Sequence, residues 1–244
     1  KKIAYPSCDI DKLDLLPFFK MINSEKQIYL RGAGIKSLIE EHKSVISLTT
    51  GSHVVANYRY YSHLPLQAVQ LEAIGKTNDL TIGVNGSKNT IKRYLTIDNE
   101  LCWLLGFLVA EGFTQKALTK KGTRRYNVWA HNKDKANIEK VSRIITEKFG
   151  AKPHERIDTR TGVYGVTISC YPLFRILRDL LEIPIGSENK KVPQLIYQLT
   201  KEKIRHFLDG YLEGDGSLIK RADGRRVVTM STTSKQLAND LSYL

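Results

Sequence analysis

The sequence has few cysteines and no long apolar run. Its 3 cysteines, Cys8, Cys102 and Cys170, lie far apart, and none belongs to a CxxC pair or a Cys/His cluster. This spacing excludes a disulfide framework and a structural zinc site, so we expect reduced, buried thiols. No stretch approaches the roughly 18 consecutive apolar residues of a transmembrane helix. The sequence predicts a soluble, intracellular globular protein.

Acidic residues are also scarce relative to basic ones. The 244 residues include 25 acidic and 38 basic side chains, which gives a formal net charge of +13. This balance favours a polyanionic partner, with nucleic acid the first choice and a membrane surface the second. The length allows one large domain or two modest ones with a substantial core.

Two segments of the chain repeat one helical pattern. In each, apolar residues recur at the spacing of a single helical stripe: Leu101, Leu104, Leu105, Leu108 and Val109 in the first, and Ile204, Phe207, Leu208, Tyr211 and Leu212 in the second. Each also has two small residues four positions apart, Gly106 and Ala110 in the first and Gly210 and Gly214 in the second. Small residues at this spacing let two helix backbones approach closely, so we infer that the two helices pack together.

Each predicted helix ends on an acid that is followed by glycine, Glu111 in the first and Asp215 in the second. The negative end of a helix dipole disfavours carboxylates, so two acids there call for a compensating cation. Mg²⁺ suits this position, because it binds one or two carboxylates together with water and substrate phosphates. The alternative is two solvated acids near helix ends, which the matched pattern makes the weaker interpretation. Asp209 and Glu213 have no acidic counterparts in the first helix, so solvated or structural roles are expected for them.

The segments after the two helices repeat as well. After Gly112 and after Gly216 the sequence predicts a strand, a basic turn around a glycine, a second strand and the start of a helix. Residues 100–244 therefore have the pattern of an internal duplication of helix, hairpin and helix.

The two nonapeptides LLGFLVAEG, residues 104–112, and LDGYLEGDG, residues 208–216, resemble the paired motifs of the LAGLIDADG homing endonucleases, particularly the two-motif members found within inteins. The resemblance implies a duplicated α+β fold, in which the motif helices form a pseudo-twofold interface and two curved sheets make β-saddles over double-stranded DNA. It also implies a monomer that cleaves a long asymmetric DNA site with Mg²⁺ or another divalent cation. By position in the motif, Glu111 and Asp215 match the metal-binding, catalytic acids.

The resemblance adds a catalytic lysine. Intein-type members carry it in a Lys-x-Ile/Val-Pro segment before the second motif, and KKVP, residues 190–193, matches that segment. Lys190 is the match and Lys191 a neighbouring substitute; the role would be to polarise water or to balance developing phosphorane charge. An exposed basic pair before a proline is the other interpretation.

Basic residues cluster near three predicted hairpin tips. Candidates for DNA contact are Lys116, Lys120, Lys121, Arg124, Arg125, Arg156, Arg160, Lys220, Arg221, Arg225 and Arg226. Strands in the major groove can use such residues for base edges or phosphates. Solvated turns are the alternative for any one of them.

The predicted domains are a mainly helical one over 1–95, a first repeat over 96–199 and a second repeat over 200–244. In the first, residues 43–61 have the pattern of a helix-turn-helix DNA-binding module, with an ordinary small helical domain as the alternative. The polar run 83–94 is predicted to be a linker. The second repeat is expected to be incomplete, because the first continues through another hairpin and helix.

The function is an expectation drawn from the resemblance. The chain is expected to be a site-specific, metal-dependent DNA endonuclease, and the endonuclease part of an intein. The alternative is a catalytically inactive relative that binds nucleic acid, either an RNA maturase or a DNA-binding regulator.

Overall fold

The computed structural model describes residues 10–75, 79–119, 122–183, 186–220 and 224–244, with the backbone alone at positions 218, 220 and 226. The N-terminal part contains five short helices and six short strands among its described residues. In chain order these are β1 Lys12–Asp14, α1 Leu16–Met21, β2 Ile28–Arg31, α2 Ile35–Glu41, α3 Lys43–Thr50, α4 Ser52–Tyr61, β3 His63–Pro65, α5 Leu71–Ile74, β4 Thr81–Val84, β5 Ile91–Lys92 and β6 Tyr94–Thr96.

The N-terminal part contains a sheet that the helical expectation for 1–95 omitted. Its order is β3-β2-β4-β5, with antiparallel neighbours, and β1 pairs separately with β6. These strands have two to four residues each, too few for an alternating pattern to stand out. The expected helix, turn and helix over 43–61 is present as α3, Gly51 and α4. DNA binding by it remains a prediction.

The run 83–94 differs from the linker expected there. Gly83 and Val84 belong to β4, and Ile91 is fully buried. Arg93 is buried too, and its Nη2 lies 2.7 Å from Asp14 Oδ2. A polar composition suggested a solvated loop, but this ion pair, formed across 79 residues of sequence, lets an arginine enter the interior. The division into 1–95, 96–199 and 200–244 stays a prediction.

The first repeat is a helix, a hairpin, a helix, a second hairpin and a helix. The elements are α6 Asn99–Glu111, β7 Gly112–Leu118, β8 Arg124–Asn132, α7 Lys135–Ile144, β9 His154–Asp158, β10 Val163–Ser169 and α8 Tyr171–Arg175. One wide π-helical turn extends α7 to Phe149 and another extends α8 to Leu180. The four strands form an antiparallel sheet in the order β7-β8-β10-β9.

The second repeat begins in the same way. Its elements are α9 Lys201–Asp215, β11 Gly216–Lys220, β12 Arg226–Met230 and α10 Lys235–Tyr243. Side chains cap both motif helices at their N-terminal ends: the Asp98 side chain accepts a hydrogen bond from Leu101 N at 3.0 Å, and the Thr200 side chain accepts one from Lys203 N at 3.5 Å. The mixed α/β duplication with antiparallel sheets is thus confirmed.

The two motif helices pack against each other along their length. A Cβ added at Gly106 would overlap the carbonyl oxygen of Phe207 and lie 2.8 Å from the Tyr211 amide nitrogen. A Cβ at Gly210 would overlap the carbonyl oxygen of Trp103. Because these obstacles are backbone atoms, only glycine permits the observed approach. The predicted helix pair is therefore present, and it brings the ends of α6 and α9 together.

Candidate active site and nucleic-acid interface

Glu111 and Asp215 are the last residues of α6 and α9, and they lie on the same end of the helix pair. A Cβ on Gly214, which precedes Asp215, would lie only 3.1 Å from Glu111 Cγ. Glu111 is half-buried, and Asp215 is more exposed. The structure thus brings together two acids that are remote in sequence.

Lys190 completes this cluster. Its ammonium donates a hydrogen bond to the carbonyl oxygen of Ala110, the residue before Glu111. Its own carbonyl accepts a hydrogen bond from Ser234 Oγ at 2.6 Å, at the start of α10. The segment is also fixed through Val192, whose amide donates to Asp240 Oδ2 at 3.0 Å. The lysine expected from the KKVP match therefore stands beside the acids, whereas Lys191 pairs with Glu182 Oε1 at 2.5 Å.

The ionisation of the three groups is coupled. Burial raises the pKa of Glu111, the neighbouring Asp215 charge raises it further, and Lys190 and a hydrogen bond from Asn132 oppose both effects. Burial also raises the pKa of Asp215, against the attraction of Lys190. The pKa of Lys190 is lowered by burial, with both carboxylates acting in the opposite sense. A bound cation would relieve the repulsion between the two acids.

The donor set fits a hard divalent cation held jointly with water and a phosphate. Two carboxylates at helix ends supply hard oxygen ligands, which Mg²⁺ prefers. Across the described ranges, no group of three or more His, Cys, Asp or Glu side chains is placed to hold a metal. Protein ligands alone would therefore leave most of an octahedral shell to water and substrate oxygens, as is usual for Mg²⁺ in phosphoryl chemistry.

Asn132 is a site residue that sequence reasoning missed. Its Nδ2 donates to Glu111 Oε1 at 3.2 Å, while its Oδ1 accepts from the Asp134 amide at 2.8 Å. The second bond makes an Asx turn before α7 and orients the side chain. The signal in the sequence was NKD, an Asn two residues before a helix cap, at the end of the strand that returns to the motif helix.

The second repeat has Thr232 at the matching place, two residues before the cap Ser234. Its Oγ1 accepts from the Ser234 amide at 3.1 Å. Among the described residues, no side chain donates a hydrogen bond to Asp215. Asp209 and Glu213, set aside as ligands, face elsewhere: Asp209 lies 4.0 Å from His206, and Glu213 lies 3.7 Å from Lys140.

The face of the first sheet that points away from the core carries aromatic rings and cations. Phe113 and Trp129 are cross-strand partners with nearly parallel rings, and Trp129 also stacks with His131. Arg156 lies over the Trp129 ring, 4.4 Å from its centroid, and its Nη2 is 3.3 Å from His131 Nε2. Burial, and then Arg156, lowers the pKa of His131, so the imidazole is neutral near pH 7. The rings hold the guanidinium above the sheet.

Lys116 and Arg124 lie on the opposite face from Arg125 and Arg156. Both bind Glu25, at 2.7 and 2.9 Å, and Tyr126 donates to the same carboxylate at 2.9 Å. Side chains alternate along a strand, so adjacent Arg124 and Arg125 cannot share a face. Treating the basic stretch as one cluster ignored this alternation.

The remaining candidates for DNA contact divide into exposed residues and residues outside the described ranges. Arg160 is exposed in the turn after β9, and Arg225 is exposed just before β12. Three predicted residues, Lys120, Lys121 and Arg221, lie outside the described residues, as do the side chains of Lys220 and Arg226. No helix in the described part of the chain is both long and apolar enough to span a bilayer.

Residues 202–244, which include the second motif, match the family model described as LAGLIDADG-like domain. This match confirms, for residues 202–244, the resemblance that the paired motifs predicted.

Curated relatives are similar in sequence to this chain over a small part of their own length. An uncharacterized protein of Methanocaldococcus jannaschii is 26% identical over 184 residues, covering 74% of this chain and 20% of that protein. The DNA polymerase II large subunit of Thermococcus kodakarensis is 25% identical, and the match covers 99% of this chain and 13% of that protein. A DNA polymerase of Thermococcus litoralis is 30% identical, and the match covers 62% of this chain and 8% of that protein. The chain therefore spans from 8% to 20% of the length of these relatives.

Solved structures resemble the chain over about half its length. I-DmoI in complex with DNA and Mn has 16% identity and a TM-score of 0.38, covering 50% of this chain and 64% of that chain. The I-LtrWI LAGLIDADG homing endonuclease bound to target DNA has 10% identity and a TM-score of 0.32, covering 55% and 65%.

Proposed function

We propose that this chain is a site-specific, metal-dependent endonuclease that cuts both strands of DNA. The observation that supports this most is the convergence of Glu111, Asp215 and Lys190 at one end of the helix pair. The same three residues are the ones that the motif resemblance selects, and the repulsion between the acids favours a cation between them.

Each residue has a distinct role in the proposed reaction. Glu111 and Asp215 hold the divalent cation, Mg²⁺ in the first instance. When bound, the cation supplies Lewis acidity and lowers the pKa of coordinated water. Asn132 keeps the Glu111 carboxylate oriented. Lys190, anchored on the Ala110 carbonyl, places positive charge where negative charge develops on the phosphate.

DNA would lie across the outward faces of the two hairpin sheets. Arg125 and Arg156 are the described cations on the first of these faces, and the helix pair would run beneath the cleaved phosphates. One chain with two pseudo-equivalent repeats would then act as a monomer on an asymmetric target.

An intein location belongs to the same proposal. The relatives include DNA polymerases from several Thermococcus species and an RNA polymerase subunit from Methanocaldococcus, and the chain aligns with only a small fraction of each. One segment recurring within different large enzymes supports an inserted element carried by host proteins.

Cleavage of a plasmid library, followed by sequencing of the new ends, tests the proposal. With Mg²⁺ we expect double-strand ends at one recurrent sequence, and the variants Glu111→Gln and Asp215→Asn should bind that sequence without cutting it. Cutting that is unchanged in either variant would contradict the proposed site. Binding of DNA or RNA with no cutting by the natural sequence, in Mg²⁺ or Mn²⁺, would instead identify an inactive nucleic-acid-binding relative.

A further inference from the structure

A cleft of about 420 Å³ lies where the N-terminal part meets the first sheet. Lys26 and Ser87 line it from the N-terminal part, and Arg125 and Ser169 line it from β8 and the end of β10. The catalytic cluster does not involve this place, and Lys26 and Ser87 were not among the residues expected to contact DNA. The cations of its lining, Lys26 and Arg125, have the charge that a phosphate site requires.

Two of the cations at the cleft differ from the third in having no acidic partner within the described ranges. Arg124, which also lines the cleft, is neutralised by Glu25 at 2.9 Å. By contrast, no carboxylate of the described chain lies within ion-pair distance of Lys26 or Arg125. The Lys26 ammonium lies over the rings of Tyr126 and Tyr171, 5.0 and 5.8 Å from their centroids. Two such charges at one cleft attract an anion from outside the chain.

The segment that carries Lys26 is fixed from both sides. Ser24 Oγ lies 3.0 Å from the Tyr171 hydroxyl, which also accepts a hydrogen bond from the Glu25 amide at 3.0 Å. The Glu25 carboxylate in turn accepts hydrogen bonds from Lys116, Arg124 and Tyr126. The position of Lys26 is therefore largely set before any ligand arrives, which lowers the entropic cost of binding.

The opposite wall is fixed as well. Asn89, in the same turn as Ser87, donates to the Ser169 carbonyl at 3.3 Å and accepts from the Lys152 amide at 3.0 Å. Arg31 Nη1 donates to the Ser87 carbonyl at 2.8 Å. These bonds tie the turn after β4 to the end of β10.

We propose that this cleft binds a backbone phosphate of duplex DNA, so that the N-terminal part adds Lys26 to the DNA contacts of the first repeat. The proposal rests on the proposed function, because Arg125 also projects from the sheet face on which the duplex would lie. A phosphodiester fits better than a small free anion, since Arg125 belongs both to the cleft and to that exposed face. The contact is independent of sequence.

Salt dependence of DNA binding tests the proposal without cleavage. The probe is a 30-base-pair duplex of random sequence, titrated in EDTA at KCl concentrations from about 50 to 200 mM, with fluorescence anisotropy as the readout. Lys26→Ala and Arg125→Ala should each lower the slope of log affinity against log salt by about one, and weaken binding about tenfold at the lowest salt. Lys26→Arg should retain the natural slope. The matched control is Lys201→Ala, at the far end of α9 from Asp215.

The outcomes separate the cleft from the nuclease proposal. A natural slope in Lys26→Ala, with an unchanged melting temperature, would overturn the cleft even if the natural sequence cuts DNA with Mg²⁺. A reduced slope in both variants but not in Lys201→Ala would support the cleft, even if no cutting is found. An equal reduction in all three variants would mean that only net charge matters, which also overturns it.

Discussion

The motif helix of the first repeat is buried on every side, whereas that of the second keeps a polar face. All residues of α6 from Leu101 to Ala110 are buried, but in α9 only Phe207, Gly210 and Tyr211 are. Both helices nevertheless end on an acid and use glycine at their contact. Close backbone approach and a terminal carboxylate are therefore what the two helices have in common, whereas their other positions differ with their surroundings.

The hairpins after the two helices also differ, in the side chains on their outer faces. Phe113 lies opposite Trp129 on the outer face of the first hairpin, and the corresponding pair on the second is Ser217 and Thr229, with hydroxyl oxygens 2.5 Å apart. A stacked aromatic surface and a hydroxyl surface present different chemistry to a duplex. We therefore expect the two halves of a DNA target to differ.

Substitution of either motif acid is expected to cause the largest loss of cleavage rate, and the loss should be the same in both repeats. Glu111→Gln and Asp215→Asn should each lower the single-turnover rate of DNA cleavage at least about a thousandfold, because several kcal/mol of charge stabilisation depends on the cation that the two acids are proposed to share. Glu213→Gln, which changes a nearby exposed acid, is the control and should cut normally. If a variant that lacks one motif acid cut both strands at the natural rate, Glu111 and Asp215 would not form a single site.

Gly106→Ala should destabilise the fold by about 2 to 3 kcal/mol, because the added Cβ meets the Phe207 backbone. Chemical denaturation measures this. Ser44→Ala, at an exposed position of α3, serves as the control and should change stability by less than about 0.5 kcal/mol. At an exposed helical glycine the same change stabilises by up to about 1 kcal/mol, so a stabilised Gly106→Ala protein would mean that the helices are not in close contact.

Lys190→Met should slow cleavage about a hundredfold, since the positive charge that Lys190 is proposed to place near the reacting phosphate is lost. The control is Lys191→Met, whose lysine is paired with Glu182. The same rate assay applies to both. If Lys191→Met were the slower enzyme, the neighbouring lysine would be the functional one.

Asn132→Ala should act on the first repeat's acid alone. The Asn132 hydrogen bond lowers the pKa of Glu111, so its loss raises that pKa, and the carboxylate then becomes protonated at a higher pH. The acidic limb of the pH-rate profile should shift upward, with about a tenfold loss of rate on its acidic side. Thr232→Ala removes the matching residue of the second repeat and should leave that limb in place. Identical shifts in the two variants would show that the repeats are not different in this respect.

The smallest expected effect is on DNA binding, and it follows from substitution of Arg156 on the outer face of the first sheet. Arg156→Ala should weaken binding of the target duplex about fivefold, because a guanidinium held on Trp129 is lost. Arg160→Ala, in the adjacent turn, is the control, and its effect on the dissociation constant should be smaller. Equal losses would mean that stacking on Trp129 does not set the contribution of Arg156.

The helix pair could be predicted from the sequence because its signals are local and repeated. Apolar stripes and small residues at fixed spacing define α6 and α9, and the packing of the two helices brings their C-terminal ends together. Lys190 needed the family resemblance, since KKVP has no intrinsic signal for a site.

Other features depend on contacts that sequence spacing does not reveal. Asp14 and Arg93 form an ion pair between opposite ends of the N-terminal part. This pair helps to bury part of the run 83–94, which was predicted to be a linker. Lys116 and Arg124 lie on the inner face of their hairpin, where both bind Glu25. Strand alternation would have separated Arg124 from Arg125, but only the fold shows which of the two faces the core.

The pKa of the Glu111 carboxyl group, measured by NMR in the metal-free protein, tests most directly whether the two motif acids form one site. In the natural sequence this pKa should lie above its ordinary value of 4.5, and it should fall in Asp215→Asn, where a neighbouring negative charge is gone. Glu213→Gln should leave it unchanged. A Glu111 pKa that does not respond to Asp215→Asn would contradict the shared site.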